Sequence, residues 1–220
     1  MAGPTIYGYL FGLPLTETLV NTWIVMGVLI IISLLLVRNL KVVPGKAQVI
    51  AETIVNAIDN LTEQTMGKDK MGFAPYMLAL FMFLLLANIA GLFALRSPTA
   101  DLNVTVTLAL MTFFMTQGFG LASKGLGGYL KGFLEPLPFL LPINIIGEFA
   151  NPVSLSFRLF GNMLGGLIIM DLLYTALTGF MYFAVVVPIP FHFYFDMFSG
   201  ALQSFIFVML TMVFISMAMD

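Results

Sequence analysis

The chain has 220 residues, of which 60% are hydrophobic and only 9% charged, with a formal net charge of −2 and a mean hydropathy of +1.03. A soluble domain carries about 25% charged residues, so this composition excludes a water-soluble enzyme or a nucleic-acid-binding module. It points to an integral membrane protein. The absence of cysteine and the single histidine, His192, exclude a disulfide framework, a thiolate site and a multi-histidine metal centre, and no cofactor is expected.

Residues 1–15 are apolar but short and broken by Pro4 and Pro14, which predicts an interfacial lead-in. They contain no Lys or Arg, and Glu17 opens the apolar run that follows, so no cleavable signal peptide is expected. A first spanning helix is predicted over 17–37, ending at Arg38, Lys41 and Lys46. In residues 45–67, Val49, Ile50, Ile54, Ile58 and Leu61 recur at spacings of mostly three and four, with Glu52, Asp59 and Glu63 elsewhere on the helix. That pattern predicts an amphipathic helix at the membrane surface, or one gripping a partner.

A second span is expected over 73–95 and a third over 104–122. Residues 123–138 read as a Gly/Pro-rich connector. The hydrophobic segment 139–174 would be roughly 54 Å long as a helix, against a hydrocarbon core of ~30 Å. It must therefore tilt steeply, run partly along the membrane plane, or break. After an apolar turn at 175–190 comes a last helix, about 189–218.

The expected architecture is all-α, a single integral membrane domain with about five membrane helices. It comprises 1–38, the surface helix 45–67, two spans in 73–122 and a long tilted hairpin over 139–218. Seven cations, Arg38, Lys41, Lys46, Lys68, Lys70, Lys124 and Lys131, fall on one side of this topology and only Arg96 on the other. The positive-inside rule then predicts the N-terminus outside and the C-terminus cytoplasmic.

Arg158 lies inside the fourth segment. A guanidinium is permanently charged, and placing one near the bilayer centre costs at least ~2.5–3.5 kcal/mol on insertion scales. At 100° per residue, Asn144, Asn151, Ser154, Arg158 and Asn162 form one polar stripe, whereas Asp171 sits roughly 220° round from Arg158. On the last helix Asp196 and Gln203 share a face. If the two polar faces pack antiparallel, Gln203 sits near the depth of Arg158 and Asp196 about 10 Å further out. Asp171 also falls towards the outside, with Asn144 and Glu148 towards the inside. Such a track reads as a route for H+ or another cation, interrupted by a fixed positive charge. A carboxylate on a neighbouring protein that reached Arg158 would be driven to release its ion. Structural readings compete at several positions: an interhelical hydrogen bond for Asn88, a helix cap for Asp101, and an interfacial position for His192.

The run PVSLSFRLFGNMLGG at 152–166, followed by LQSFIFVMLTMVFISMA at 202–218, resembles the a subunit of bacterial F-type ATP synthases. SPTADLNVTVTLAL at 97–110 after FLLLANIAGLF at 83–93 adds to the resemblance, which covers the chain from about residue 40. The resemblance implies a non-catalytic membrane stator beside a rotating ring of c subunits, held with the b-subunit peripheral stalk in a bacterial cell membrane. It implies that Arg158 faces the ring carboxylates and separates two offset half-channels carrying H+ or Na+. It further implies polar roles for Asn162 and Gln203 near that arginine, and an outer half-channel role for Asp101. Three positions depart from the common family pattern. Leu167 stands where an acid or histidine is frequent, with Asp171 one turn on. Asp196 stands where His or Glu is usual. Asn144 stands where a glutamate is frequent, with Glu148 one turn on. A stand-alone cation channel or carrier is the competing reading. An intramembrane hydrolase is disfavoured, because no activated nucleophile emerges.

Overall fold

The computed structural model describes residues 5–10, 12–38, 40–93, 95–134, 138–179 and 186–220. Part of the expected turn at 175–190, and residues 135–137 of the expected connector, lie outside the described residues. The structure is helical, with five helical segments long and apolar enough to cross a membrane, in agreement with the expected class.

The lead-in differs from expectation. Ile6–Leu10 (β1) and Leu13–Thr16 (β2) form an antiparallel hairpin that reverses at Gly12, whose φ of 82° suits glycine. Short apolar runs without strict alternation hid this from the sequence. The hairpin is tied to the first helix by Thr5, which donates its hydroxyl to Glu17 Oε2 at 2.9 Å and accepts the Glu17 N–H at 2.8 Å.

Helix α1 spans Glu17–Val37 and buries only Thr18, Asn21 and Val25. Its later turns expose Ile30, Ile31, Leu34, Leu35 and Val37, a surface suited to lipid and not to water. Helix α2, Lys46–Met66, buries Ile58, Thr62 and Met66 at a spacing of four. Only its second half docks on the bundle, and Val49 and Ile50 stay exposed. Gly67, at φ 91°, turns the chain into a 3-10 segment, Lys68–Phe73.

Helix α3, Ala74–Ile89, starts with Pro75 in its first turn, where a missing N–H costs nothing. Helix α4 covers Leu102–Leu134 and is interrupted at Gly125, φ 69°. The expected connector is thus mostly helical: the span ends near Lys124, and a second helical stretch turns away from it at that glycine. The buried face of α4 reads Thr105, Ala109, Thr112, Thr116, Gly120. These small residues let helices approach closely; a Cβ on Gly120 would lie 3.1 Å from the Ala218 carbonyl oxygen.

Helix α5 is Leu141–Ala176, 36 residues without a break despite Pro152. The short helix α6, Pro188–His192, leads through a π-helical segment, Phe193–Ser199, into helix α7, Gly200–Met219. The sequence suggested one regular helix here; the π segment leaves no signature in hydropathy. Helix α7 is the hub. It buries Gln203, Ser204, Phe207, Val208, Thr211, Met212, Ile215 and Ser216, and of these Phe207, Val208, Met212 and Ile215 form one core cluster with Met77, Leu80 and Leu84 of α3 and Leu155 and Leu159 of α5.

The lysine-rich end of the bundle is closed by Lys70. Its Nζ reaches Ser216 O at 3.3 Å and Ser216 Oγ at 3.1 Å, and pairs with the Asp220 carboxylate. The hydrogen bond from Lys70 holds the Asp220 carboxyl below the usual carboxylate range. A depressed carboxyl keeps its contribution at neutral pH and loses it as pH falls through the folded-state titration. The Asp220 13Cγ resonance in micelles should therefore titrate at lower pH than in a Lys70→Ala variant; coincident midpoints would remove the pair.

Candidate membrane ion site

Helix α5 turns Leu155, Ser156 and Leu159 into the bundle and leaves Phe157, Arg158 and Gly161 outside. Arg158 is exposed, and no described residue makes a hydrogen bond or ion pair with it. The expected packing of two polar faces is therefore only half right. A stripe of residues four apart drifts by about 40° per step, so Asn162 reaches the α5–α7 contact while Arg158 stays beyond its edge.

At that contact the Ser199 hydroxyl donates to Asn162 Oδ1 at 2.9 Å, and Asn162 Nδ2 lies 3.4 Å from the Ser199 carbonyl. This rung sets the antiparallel register. One turn from each partner, towards the lysine-rich end, come Arg158 on α5 and Gln203 on α7. Gln203 is buried, and among the described residues its Nε2 has no acceptor. A buried amide donor left unpaired costs about 1–3 kcal/mol, so this side chain is poised to take up a hydrogen-bond acceptor.

Beyond the rung, towards the Arg96 end, Asp196 accepts a hydrogen bond from His192 Nδ1 at 2.6 Å. The other ring nitrogen, Nε2, is 2.9 Å from the Tyr174 hydroxyl of α5. Gly91 presses against the same carboxylate: a Cβ there would lie 2.9 Å from Asp196 Cγ. A cavity of about 620 Å3 lined by Gly91, Leu92, Tyr174, Ile189, His192 and Phe193 opens beside them. Asp171 sits one turn before Tyr174, exposed, and among the described residues its carboxylate bonds no side chain.

Towards the lysine-rich end, Glu148 Oε2 accepts from Gln117 Nε2 of α4 at 2.8 Å. A cavity of about 650 Å3, with Asn144, Glu148, Asn151, Lys124 and Tyr129 in its wall, lies on this side. Asn144 also donates to the Phe133 carbonyl at 2.9 Å. Pro152 has no N–H for the Glu148 carbonyl one turn back, which leaves that oxygen without its helical partner.

Two expected residues have structural employment. Asp101 caps α4: its Oδ1 accepts the Asn103 N–H at 3.0 Å and Asn103 Nδ2 at 3.1 Å. Asn88 is a buried interhelical link. It donates to the Gly200 carbonyl at 3.0 Å and Ser204 Oγ at 2.9 Å, and accepts from Thr99 Oγ1 at 2.5 Å. Sequence reasoning did not single out Gln117, Tyr174 or Gly91, and placed His192 at the interface. The i, i+4 spacing of His192 and Asp196 was the signal available; Tyr174 and Gln117 join only through the packing of α5.

Residues 19–216 match the family described as ATP synthase A chain. The chain belongs to this family. A relative from Propionigenium modestum, "ATP synthase subunit a, sodium ion specific", is 43% identical over 221 residues, 93% of this chain and 74% of the relative. The "ATP synthase subunit a" of Moorella thermoacetica is 35% identical over 205 residues, 93% and 91% of the two chains. That of Bacillus subtilis is 37% identical over 209 residues, 86% of each. Membership in the A chain family makes this a multi-pass membrane component of the ATP synthase membrane sector, assembled with other subunits of that complex. Ion transport and ATP synthesis are the processes it serves.

Proposed function

We propose that this chain is the non-catalytic stator of the membrane sector and provides two offset half-channels to the carboxylates of a rotating c-ring. The observation that carries this is Arg158, a permanent cation on the outward face of α5 with no partner among the described residues. A fixed charge so placed is complementary to an anion on another protein. The half-channel at the Arg96 end takes in Asp196, His192 and their cavity, with Asn162 and Gln203 below them; Asp171 stands at its margin. The half-channel at the lysine-rich end takes in Asn144, Glu148 and Asn151. Asp101 contributes by holding the start of α4.

The ion is passed to the ring carboxylate on one side of Arg158 and released on the other. Movement of the ring is then the only connection between the two halves. The lysine-rich end is cytoplasmic and the hairpin end external in a bacterial cell membrane, with the b-subunit stalk holding the chain against rotation. The transported ion is H+ or Na+, and the similarity to the relative named as sodium-specific favours Na+.

The purified chain alone in liposomes should be ion-tight, and co-reconstitution with the complete complex should give ATP-driven 22Na+ uptake that survives a protonophore. Strong flux through the chain alone would overturn the stator reading in favour of a stand-alone channel. Absence of 22Na+ uptake, together with ATP-driven acidification of the lumen that the protonophore collapses, would assign H+ as the ion.

A further inference from the structure

We infer that His192 and Tyr174 are positioning residues that hold the Asp196 carboxylate at the mouth of the external half-channel and make cation uptake there sensitive to external pH. This rests on the half-channel reading above. The geometry is a continuous chain of hydrogen bonds, from the Tyr174 hydroxyl to His192 Nε2 at 2.9 Å and from His192 Nδ1 to Asp196 Oδ2 at 2.6 Å. With Asp196 ionised it can only accept, so Nδ1 carries the proton. In neutral His192 the Nε2 then accepts from Tyr174. The chain crosses from α5 to the π-helical segment, and such segments recur at functional sites. All three side chains are partly accessible, and Tyr174 and His192 line the cavity of about 620 Å3.

The opposite side of the carboxylate is fixed by the backbone. Gly91 allows the end of the α3 segment to lie against Asp196, where any Cβ would stand 3.0 Å from both carboxylate oxygens. Asp196 is therefore held between an imidazole on one side and a glycine on the other.

The surroundings bring little other charge. Among the described residues, Ala90–Phe93 and Gly200–Met219 contain no titratable side chain, and α3 contains only Tyr76, near its opposite end. The π segment itself adds Tyr194, which stacks on Phe198. Helix α5 contributes Tyr174, with Asp171 one turn before it and Arg158 further along. An imidazole is the side chain that changes charge near neutral pH. While His192 is neutral, the His192–Asp196 pair has a net charge of one negative unit and attracts a cation. Once His192 is protonated the pair is net neutral, and Nδ1–H still occupies Oδ2. Acidifying the external side therefore weakens cation uptake, whether the cation is H+ or Na+.

The test is ATP synthesis by the reconstituted holoenzyme at fixed membrane potential and fixed ion gradient, with each variant normalised to its own alkaline rate. Between an external pH of about 8 and about 5.5 the wild-type rate should fall roughly tenfold, a typical coupling between a charge and a neighbouring site. His192→Gln, which keeps a neutral donor towards Asp196, should lose that acid limb. Tyr174→Phe, which removes one hydroxyl and serves if His192→Gln does not assemble, should displace it along the pH axis. A wild-type acid limb retained unchanged in His192→Gln overturns the inference while leaving the stator reading intact. An unmoved limb in Tyr174→Phe removes Tyr174 from it. Absence of any coupled synthesis in the wild-type complex would instead count against the stator reading.

Discussion

Replacing Arg158 by alanine should abolish coupled ATP synthesis in the assembled complex while leaving the bundle folded. The side chain is exposed and makes no bond within the described chain, so its removal takes away no internal contact. What is lost is external. A carboxylate about 4 Å from the guanidinium gains about 4 kcal/mol at an effective dielectric near 20, roughly a thousandfold in ion release. Without it the ring carboxylate keeps its ion at the point where it must let go. On the proposed stator reading the barrier between the half-channels goes too, so passive ion flux through the membrane sector should rise. Arg158→Lys keeps the charge but loses the planar fork, and should retain only a small part of the activity. Synthesis and passive flux in proteoliposomes are the measurements; normal coupled synthesis by Arg158→Ala would sink the assignment.

The second large effect is expected at Gly200. Its Cα faces Asn88 so closely that a Cβ would meet Asn88 Cβ at 2.9 Å, with both helices held there by the Asn88 hydrogen bonds to Gly200 and Ser204. Gly200→Val must separate α3 from α7 or break those bonds. Overpacking and lost interhelical bonds together should destabilise the bundle by about 2–4 kcal/mol. Equilibrium unfolding in mixed micelles gives the value, and a cycle with Asn88→Ala separates collision from bonding. The double variant should be more stable than the sum of the two single losses predicts. Because Asn88→Ala keeps the Cβ that collides and removes only the amide bonds, strict additivity would mean that the collision leaves those hydrogen bonds intact.

The membrane helices were legible because hydropathy and length are decided residue by residue: α1 begins at Glu17 and ends at Val37, where the apolar run does. The 36-residue segment was legible by the same argument, but whether it tilts, lies flat or breaks is a matter of packing, and the structure keeps it whole. Asn88 was read correctly because an amide among apolar neighbours needs a partner. The hairpin of residues 6–16, the interruption at Gly125 and the π segment were not legible, because each depends on a local φ/ψ choice that hydropathy does not register.

The candidate site divides the same way. The stripe on α5 was visible as spacing, and so was the pair Asp196 and Gln203 on the last helix. Helical drift was enough to send Arg158 outwards and Asn162 inwards, which a 100° wheel shows only if the position of the neighbouring helix is known. The partners of Glu148 and His192 come from segments 31 and 18 residues away. Such pairs are set by how helices meet, not by spacing along one of them.

The continuity of α5 has a mechanical meaning. Moving one charge through 100 mV releases about 2.3 kcal/mol, and over a helix-to-helix step of about 10 Å that is a thrust of roughly 16 pN. On the stator reading the recoil falls on Arg158. A hinge in α5 would let the guanidinium yield with the load and dissipate the stroke. Instead, six buried residues from Leu155 to Met170 bolt the stretch that carries the arginine to its neighbours. The arginine is carried on a rigid beam, with its lever arm limited to its own side chain.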